Sequence, residues 1–171
     1  MFLRHLLFIY RFFSDETPDP RTFVEEKDII SQIPKGFQEA LSAPKWKDRK
    51  DALDDFQRLV VKAVRVRDSP EMAAVCKALA SRMSDANISC VVAAAACISA
   101  LADALMGHFS KYTDIVMPQM LERLKERKQS VTDAIGSSLD AVFHTVCITG
   151  CRQRVVGTLT QRRQSSLTAW T

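Results

Sequence analysis

The sequence predicts an all-α fold, a solenoid of antiparallel helix pairs, on three observations. Gly and Pro number only five and six among 171 residues, while Ala, Leu, Lys, Arg, Glu and Gln are frequent, a composition that favours helices over turn-rich sheets. Apolar residues recur at three- and four-residue steps, the spacing that gathers them on one helix face. The pattern also repeats: Ala94 follows Ala52 by 42 residues and Ala134 follows Ala94 by 40. These alanines therefore belong on the packed side of the second helix of each pair. With 47% hydrophobic and 26% charged residues, the chain suits one globular unit and not a disordered one.

Three regions follow in order: an apolar then polar extension over 1–18, a helical-repeat domain over 19–149 and a basic, Ser/Thr-rich tail over 150–171. The opening MFLRHLLFIYRFF is interrupted by Arg4, His5 and Arg11, so it is too short for a bilayer span and lacks the centre and cleavage site of a signal peptide. It reads as a non-native start or a loosely docked helix. Thr22 and Glu25 form a capping-box signal, and Val24, Ile29, Ile30, Ile33 and Phe37 carry a stripe into a helix expected over 28–42, kinked or divided at Pro34. A helix over 48–64 follows, with Ala52, Leu53, Phe56, Leu59, Val60 and Ala63 on its buried face.

Asp68-Ser69-Pro70-Glu71 starts a helix over 70–83, with Ser69 as the capping hydroxyl. Asp85 and Asn87 stop it and cap a helix over 88–106, apolar nearly all round from Val91 to Ala102 and ended by Gly107. A helix over 111–126 carries Ile115, Val116, Met120, Leu121 and Leu124, with Pro118 in its opening turns or at a kink. Ser130 with Asp133 caps a last helix over 130–148, striped by Val131, Ile135, Leu139, Val142, Phe143 and Val146.

Charge and motifs exclude several functions. The net charge of +4 is carried by Arg152, Arg154, Arg162 and Arg163 in the acid-free tail; without those four, 20 basic residues face 20 acidic ones. A body so balanced lacks the broad positive field of nucleic-acid binding, so an acidic partner must be met by local basic loops. His5, His108 and His144 have no catalytic partner spacing, and no phosphate-cradling glycine loop or cofactor motif is present. Five cysteines show no metal spacing, the Cys147/Cys151 pair included. Cys76, Cys90 and Cys97 sit among apolar residues as reduced thiols suited to the cytosol. Arg162-Arg163-Gln164-Ser165 suits a basophilic kinase, although such short motifs are common by chance.

One stretch stands out, Pro44-Lys45-Trp46-Lys47-Asp48-Arg49-Lys50. Trp46 precedes the apolar stripe on a turn that Pro44 enforces, among cations. It is either a binding hot spot, with large area at small entropic cost, or a lid over its own helix pair, and exposure decides between them.

A period of 40–42 residues matches HEAT-type solenoids. The intra-repeat turns then fall at 43–47, 84–88 and 126–130 and stack along one edge. On IPKGFQEALSAPKWKDRKDALDDF, DANISCVVAAAACISALA and MLERLKERKQSVTDAIGSSLDAV, roughly residues 19–146, the chain resembles a TOG domain of the ch-TOG and Minispindles tubulin-polymerase family. DPRTFVEEKDIISQIPKGF resembles the lead-in of the second domain of such arrays. The resemblance implies a non-enzymatic module, without cofactor, that binds curved αβ-tubulin through these turns. Trp46 would be the anchor with Lys45 and Lys47 beside it, Asn87 the second-turn contact, and Arg127 and Lys128 the third-turn bases. It implies microtubule ends and spindle poles in the cytoplasm as the location, and no nucleic acid, membrane or small-molecule substrate. A full TOG domain has six helix pairs and a basic fifth turn, whereas about three pairs are legible here, so the domain looks truncated. The alternative is a general HEAT-repeat scaffold for another protein.

Overall fold

A computed structural model describes residues 20–145. The expected extension over 1–18, the tail over 150–171, Val146, the Cys147/Cys151 pair and the helix end at 146–148 lie outside the described residues. The helices are α1 (Phe37–Leu41), α2 (Trp46–Ala63), α3 (Met72–Arg82), α4 (Ile88–Leu105), α5 (Thr113–Arg123) and α6 (129–145, to the end of the described residues). Among the described residues there is no strand, only an isolated parallel bridge between Lys27 and Val66. Helices α1, α3 and α5 stack in one layer and α2 and α4 in the other, as a solenoid of helix pairs requires.

The core lies between the layers and is densest around α4. Its Cys90, Val91, Ala93, Ala94, Ala95, Cys97, Ile98, Leu101, Ala102, Ala104 and Leu105 are all buried. Small residues let two backbones approach: the Cys97 thiol donates to the Leu53 carbonyl at 3.1 Å and the Cys90 thiol to the Trp46 carbonyl at 3.3 Å, both on α2. Burial pushes the Cys97 thiol up to about 12, with the charge of Asp54 adding to it, so it stays protonated and unreactive. The helical run Ile88–Arg123 is long and apolar enough to cross a membrane, but 61% of its most apolar 18 residues are buried in the fold.

Ala94 is fully buried, and Ala52 is half-buried and packs on the core, as the repeat register requires. Ala134 is half-buried, next to the core residue Ile135. α2 and α4 stop in the same way 42 residues apart, at the positive-φ residues Val64 (63°) and Met106 (51°). Helix α4 therefore ends at Leu105, before Gly107, and a 3-10 segment (Met106–Tyr112) leads into α5. Residues 106–112 are tied to the preceding inter-repeat loop by Lys111 and Tyr112, which both donate to Asp68.

Several elements differ from the sequence reading. The segment 28–42 is not one helix: a 3-10 turn (Ile30–Gln32) and the short α1 flank an extended Ile33, whose backbone is restricted by Pro34. Thr22 and Glu25 make no capping box, because Thr22 lies inside a 3-10 turn (Pro20–Phe23). Ser69 does not cap α3. That helix begins at Met72, and the Ser69 hydroxyl is buried without a partner. Leu121, Leu124 and Phe143 are exposed and off the buried stripe, which Val116, Met120, Val131, Ile135, Leu139 and Val142 carry. α6 starts at 129, and its first turn bonds to the Lys128 carbonyl, from Val131 N–H at 2.9 Å and Thr132 N–H at 3.3 Å, so Ser130 is not its cap.

The close approach of α4 to α2 leaves no room at Ala94. Ala94→Leu is expected to destabilise the protein by about 1–3 kcal/mol through overpacking, and Ala134→Leu by less. Urea denaturation of both variants checks this, and an equal cost would break the repeat register.

Candidate functional site

The three intra-repeat turns gather on one edge because arginines bind them to one another. At the first turn, Lys45 is extended (φ −82°, ψ 124°) and Trp46 opens α2, two residues earlier than the apolar stripe suggests. The turn is clamped from inside, since Arg49 Nη1 donates to the carbonyls of Ala43 (2.7 Å) and Pro44 (3.1 Å). The same guanidinium reaches across 36 residues to Asp85 in the second turn, a two-point fork with both contacts at 2.8 Å.

Asp85 is the centre of this edge, its side chain only 2% exposed. Burial alone would raise its pKa. The Arg49 hydrogen bonds, the Asn87 N–H at 2.8 Å and the charges of Arg49 and Arg82 outweigh that and hold the carboxyl below its ordinary value. The Asp85 fork in turn pushes the Arg49 guanidinium up, so the pair stays charged. Arg123, at the end of α5, donates to the carbonyls of Met83 and, at 2.6 Å, Asp85. Arg82, at the end of α3, likewise donates to the Leu41 carbonyl at 2.9 Å. Each arginine covers the free carbonyl end of the preceding odd-numbered helix, where the helix dipole favours a cation.

Trp46 sits on this support at 40% exposure, which makes it a surface tryptophan and not a core one. Lys47 Nζ lies 6.0 Å from the centre of its ring, at the outer range of a cation–π contact. Lys45 and Lys47 are exposed. In the second turn Asn87 is half-buried, and its side-chain oxygen caps α4 by accepting the Ser89 N–H at 2.9 Å, a structural task. The residue that the repeat places in register with Trp46 is Ile88, 39% exposed. In the third turn Arg127 and Lys128 are exposed, and neither makes an ion pair among the described residues. The structure thus brings Lys45, Trp46, Lys47, Asn87, Arg127 and Lys128 to one edge.

Sequence reasoning missed Ile88, Arg82 and Arg123, and it placed Arg49 and Asp85 in the turns without their roles as clamp and buried acceptor. A signal for part of this set was present: Arg82-x-x-Asp85 recurs 41 residues later as Arg123-x-x-Glu126, and both pairs are ion pairs. The Arg49–Asp85 fork had none, because it joins two repeats.

A sequence profile of the family described as "Stalled ribosome sensor GCN1-like, HEAT repeats" matches residues 27–159. The chain is 35% identical over 131 residues to spindle pole body component alp14 of Schizosaccharomyces pombe, covering 77% of this chain and 16% of alp14. It is 29% identical to protein mini spindles of Drosophila melanogaster, covering 88% of this chain and 7% of that protein. It therefore spans less than a fifth of either relative. One similar solved structure concerns tubulin recruitment and assembly by microtubule polymerases with TOG domain arrays, at TM-score 0.70 and 30% identity over 86% of this chain and 31% of that one. Another concerns microtubule plus end tracking by XMAP215, CLIP-170 and EB1, at TM-score 0.67 and 28% identity over 80% of this chain and 56% of that one.

Asp85→Ala is expected to cost about 1–3 kcal/mol, because the half-buried Arg49 and Arg82 guanidinium groups and the Asn87 N–H lose their acceptor. The folded pKa of Asp85 lies below its unfolded value, so its contribution is complete above about pH 4 and is lost as pH falls through the lowered folded value. Asp85→Asn should flatten stability against pH in that acid range without abolishing the slope, since Asp68 is lowered too, with Lys111 and Tyr112 outweighing its burial. Denaturant titrations from neutral to acid pH measure this, and an unchanged slope would refute it.

Proposed function

Because this chain belongs to the HEAT-repeat family and, within it, to the TOG domains of microtubule polymerases, we propose that its three intra-repeat turns bind αβ-tubulin. The observation that carries this reading is Trp46, a tryptophan held at the surface by a clamped turn with Lys45 and Lys47 beside it. An aromatic ring with a fixed backbone contributes area at little entropic cost, which is the composition of an interface hot spot. Ile88 extends the apolar contact into the second turn, next to Asn87. Arg127 and Lys128 supply charge at the third, where an acidic partner surface would meet them. Lys45, Lys47, Arg127 and Lys128 steer the encounter and Trp46 slows dissociation. The chain acts as a binding module and not an enzyme, on microtubule ends and at spindle poles in the cytoplasm.

Size-exclusion chromatography with purified αβ-tubulin tests the reading directly: co-elution supports it, and separate elution of both proteins favours a HEAT-repeat scaffold for another partner. Trp46→Ala is expected to weaken binding by about 2 kcal/mol or more with the melting temperature nearly unchanged. A large fall in melting temperature would return Trp46 to the role of a lid over its helix pair.

Lys128→Glu is expected to weaken binding more than Lys128→Ala, with the larger defect at low salt, because repulsion from an acidic surface is screened as ionic strength rises. Charge reversal at Arg154, outside the three turns, is the control. If Arg154→Glu abolishes binding and Lys128→Glu leaves it intact, the basic tail is the contact and the ridge is not.

A further inference from the structure

We propose that Ser130 is a phosphorylation site for a basophilic serine kinase, placed so that its phosphate neutralises the exposed charge of the third turn. Arg127 stands three residues before Ser130 and Lys128 two, and all three are exposed. A kinase that selects cations on that side of its serine pairs them with its own carboxylates, and neither of these cations is engaged in an ion pair among the described residues. The Ser130 hydroxyl is also unused. The first turn of α6 is closed by the Lys128 carbonyl, and Gln129 is the residue that bonds Asp133, at 2.7 Å. Residues 124–128 lie outside any helix, so a kinase needs to open only the first turn of α6 to reach the hydroxyl. Burial separates this serine from Ser69, which follows Arg65 and Arg67 but whose hydroxyl is buried.

In the transfer, Ser130 Oγ attacks the γ-phosphorus of Mg-ATP. The new O–P bond forms as the bond to the bridging oxygen of ADP breaks, and the hydroxyl proton passes to the kinase's catalytic carboxylate. The product carries about −1.5 to −2 charge at neutral pH. It sits in the first turn of a helix, where the dipole favours an anion and no side chain already caps the end. The fold therefore tolerates the group, while most or all of the positive charge that Arg127 and Lys128 present outward is cancelled. The effect on tubulin rests on the function proposed above; the site itself does not.

The test treats the full chain with Mg-ATP and the catalytic subunit of a basophilic kinase, maps phosphate by mass spectrometry and titrates the product against αβ-tubulin. Phosphate is expected on Ser130, absent in Ser130→Ala and formed about tenfold more slowly in the Arg127→Ala, Lys128→Ala double variant. The phosphoprotein should keep its helical circular dichroism and bind tubulin about tenfold more weakly at low salt, with a smaller loss at high salt. Phosphate found only elsewhere, as at Ser165, would overturn the proposal, and so would a phospho-Ser130 chain that binds as before while Lys128→Glu does not. If the unmodified chain fails to bind tubulin, it is the tubulin reading that fails, and the map alone then decides the site: label on Ser130 supports it and its absence overturns it.

Discussion

The edge that carries the candidate interface depends on one buried carboxylate. Asp85 accepts both arms of the Arg49 fork and a third contact from Arg82 at 3.3 Å, while its own carbonyl accepts from Arg123. Those donors come from three successive repeats. A buried charge is costly unless paired and hydrogen-bonded, so the folded state holds Asp85 only where all these groups meet. The fork also fixes the first turn, because the guanidinium that binds Asp85 holds the Ala43 and Pro44 carbonyls. Trp46 is thus oriented by a charge one repeat away.

Packing under this edge works in the same direction. α4 is lined with alanines and cysteines, so its thiols reach the backbone of α2, and one of them bonds to the carbonyl of Trp46 itself. The tryptophan's backbone is pinned from below by the core and its turn from the side by Arg49, while its ring stays at the surface. That division lets one residue be structurally fixed and still available. It is the preorganisation that limits the entropic cost of binding.

The parts of the fold set by local periodicity were legible in the sequence, and the parts set by contacts between repeats were not. Helices α2, α4 and α6 followed from their stripes within two residues at the starts, and the Asn87 cap followed from the preference of Asn for helix N-termini. The segment before α2 was misread because Val24, Ile29, Ile30 and Ile33 mimic a helical stripe, whereas the chain there pairs with the 65–67 loop through Lys27. Leu121 and Leu124 continue the periodicity of α5 beyond what the neighbouring helices cover. The sequence left Trp46 open between a surface contact and a lid over its helix pair, and its 40% exposure favours the surface. Arg49 in the same run was not legible as its clamp, since the partner lies 36 residues away.

The fold alone does not choose the partner. A HEAT-repeat match is shared by chains with unrelated tasks, and function lies in what the repeats present at their edges. Here the odd-numbered helices end in arginines turned inward on carbonyls, Arg82 and Arg123, while the turns beside the starts of α2 and α6 carry the exposed cations Lys45, Lys47, Arg127 and Lys128. Along this edge positive charge is divided between a structural row and an exposed row. The exposed row lies with the amino ends of the even-numbered helices, whose dipoles are positive there as well. The edge therefore gathers these cations on a body whose charges balance in total once the four tail arginines are set aside. On the proposed function such a row would favour an acidic surface of matching spacing, whereas general affinity for polyanions requires a broad field. On the same reading Trp46 would add what charge cannot, an apolar anchor for the partner beside the cations.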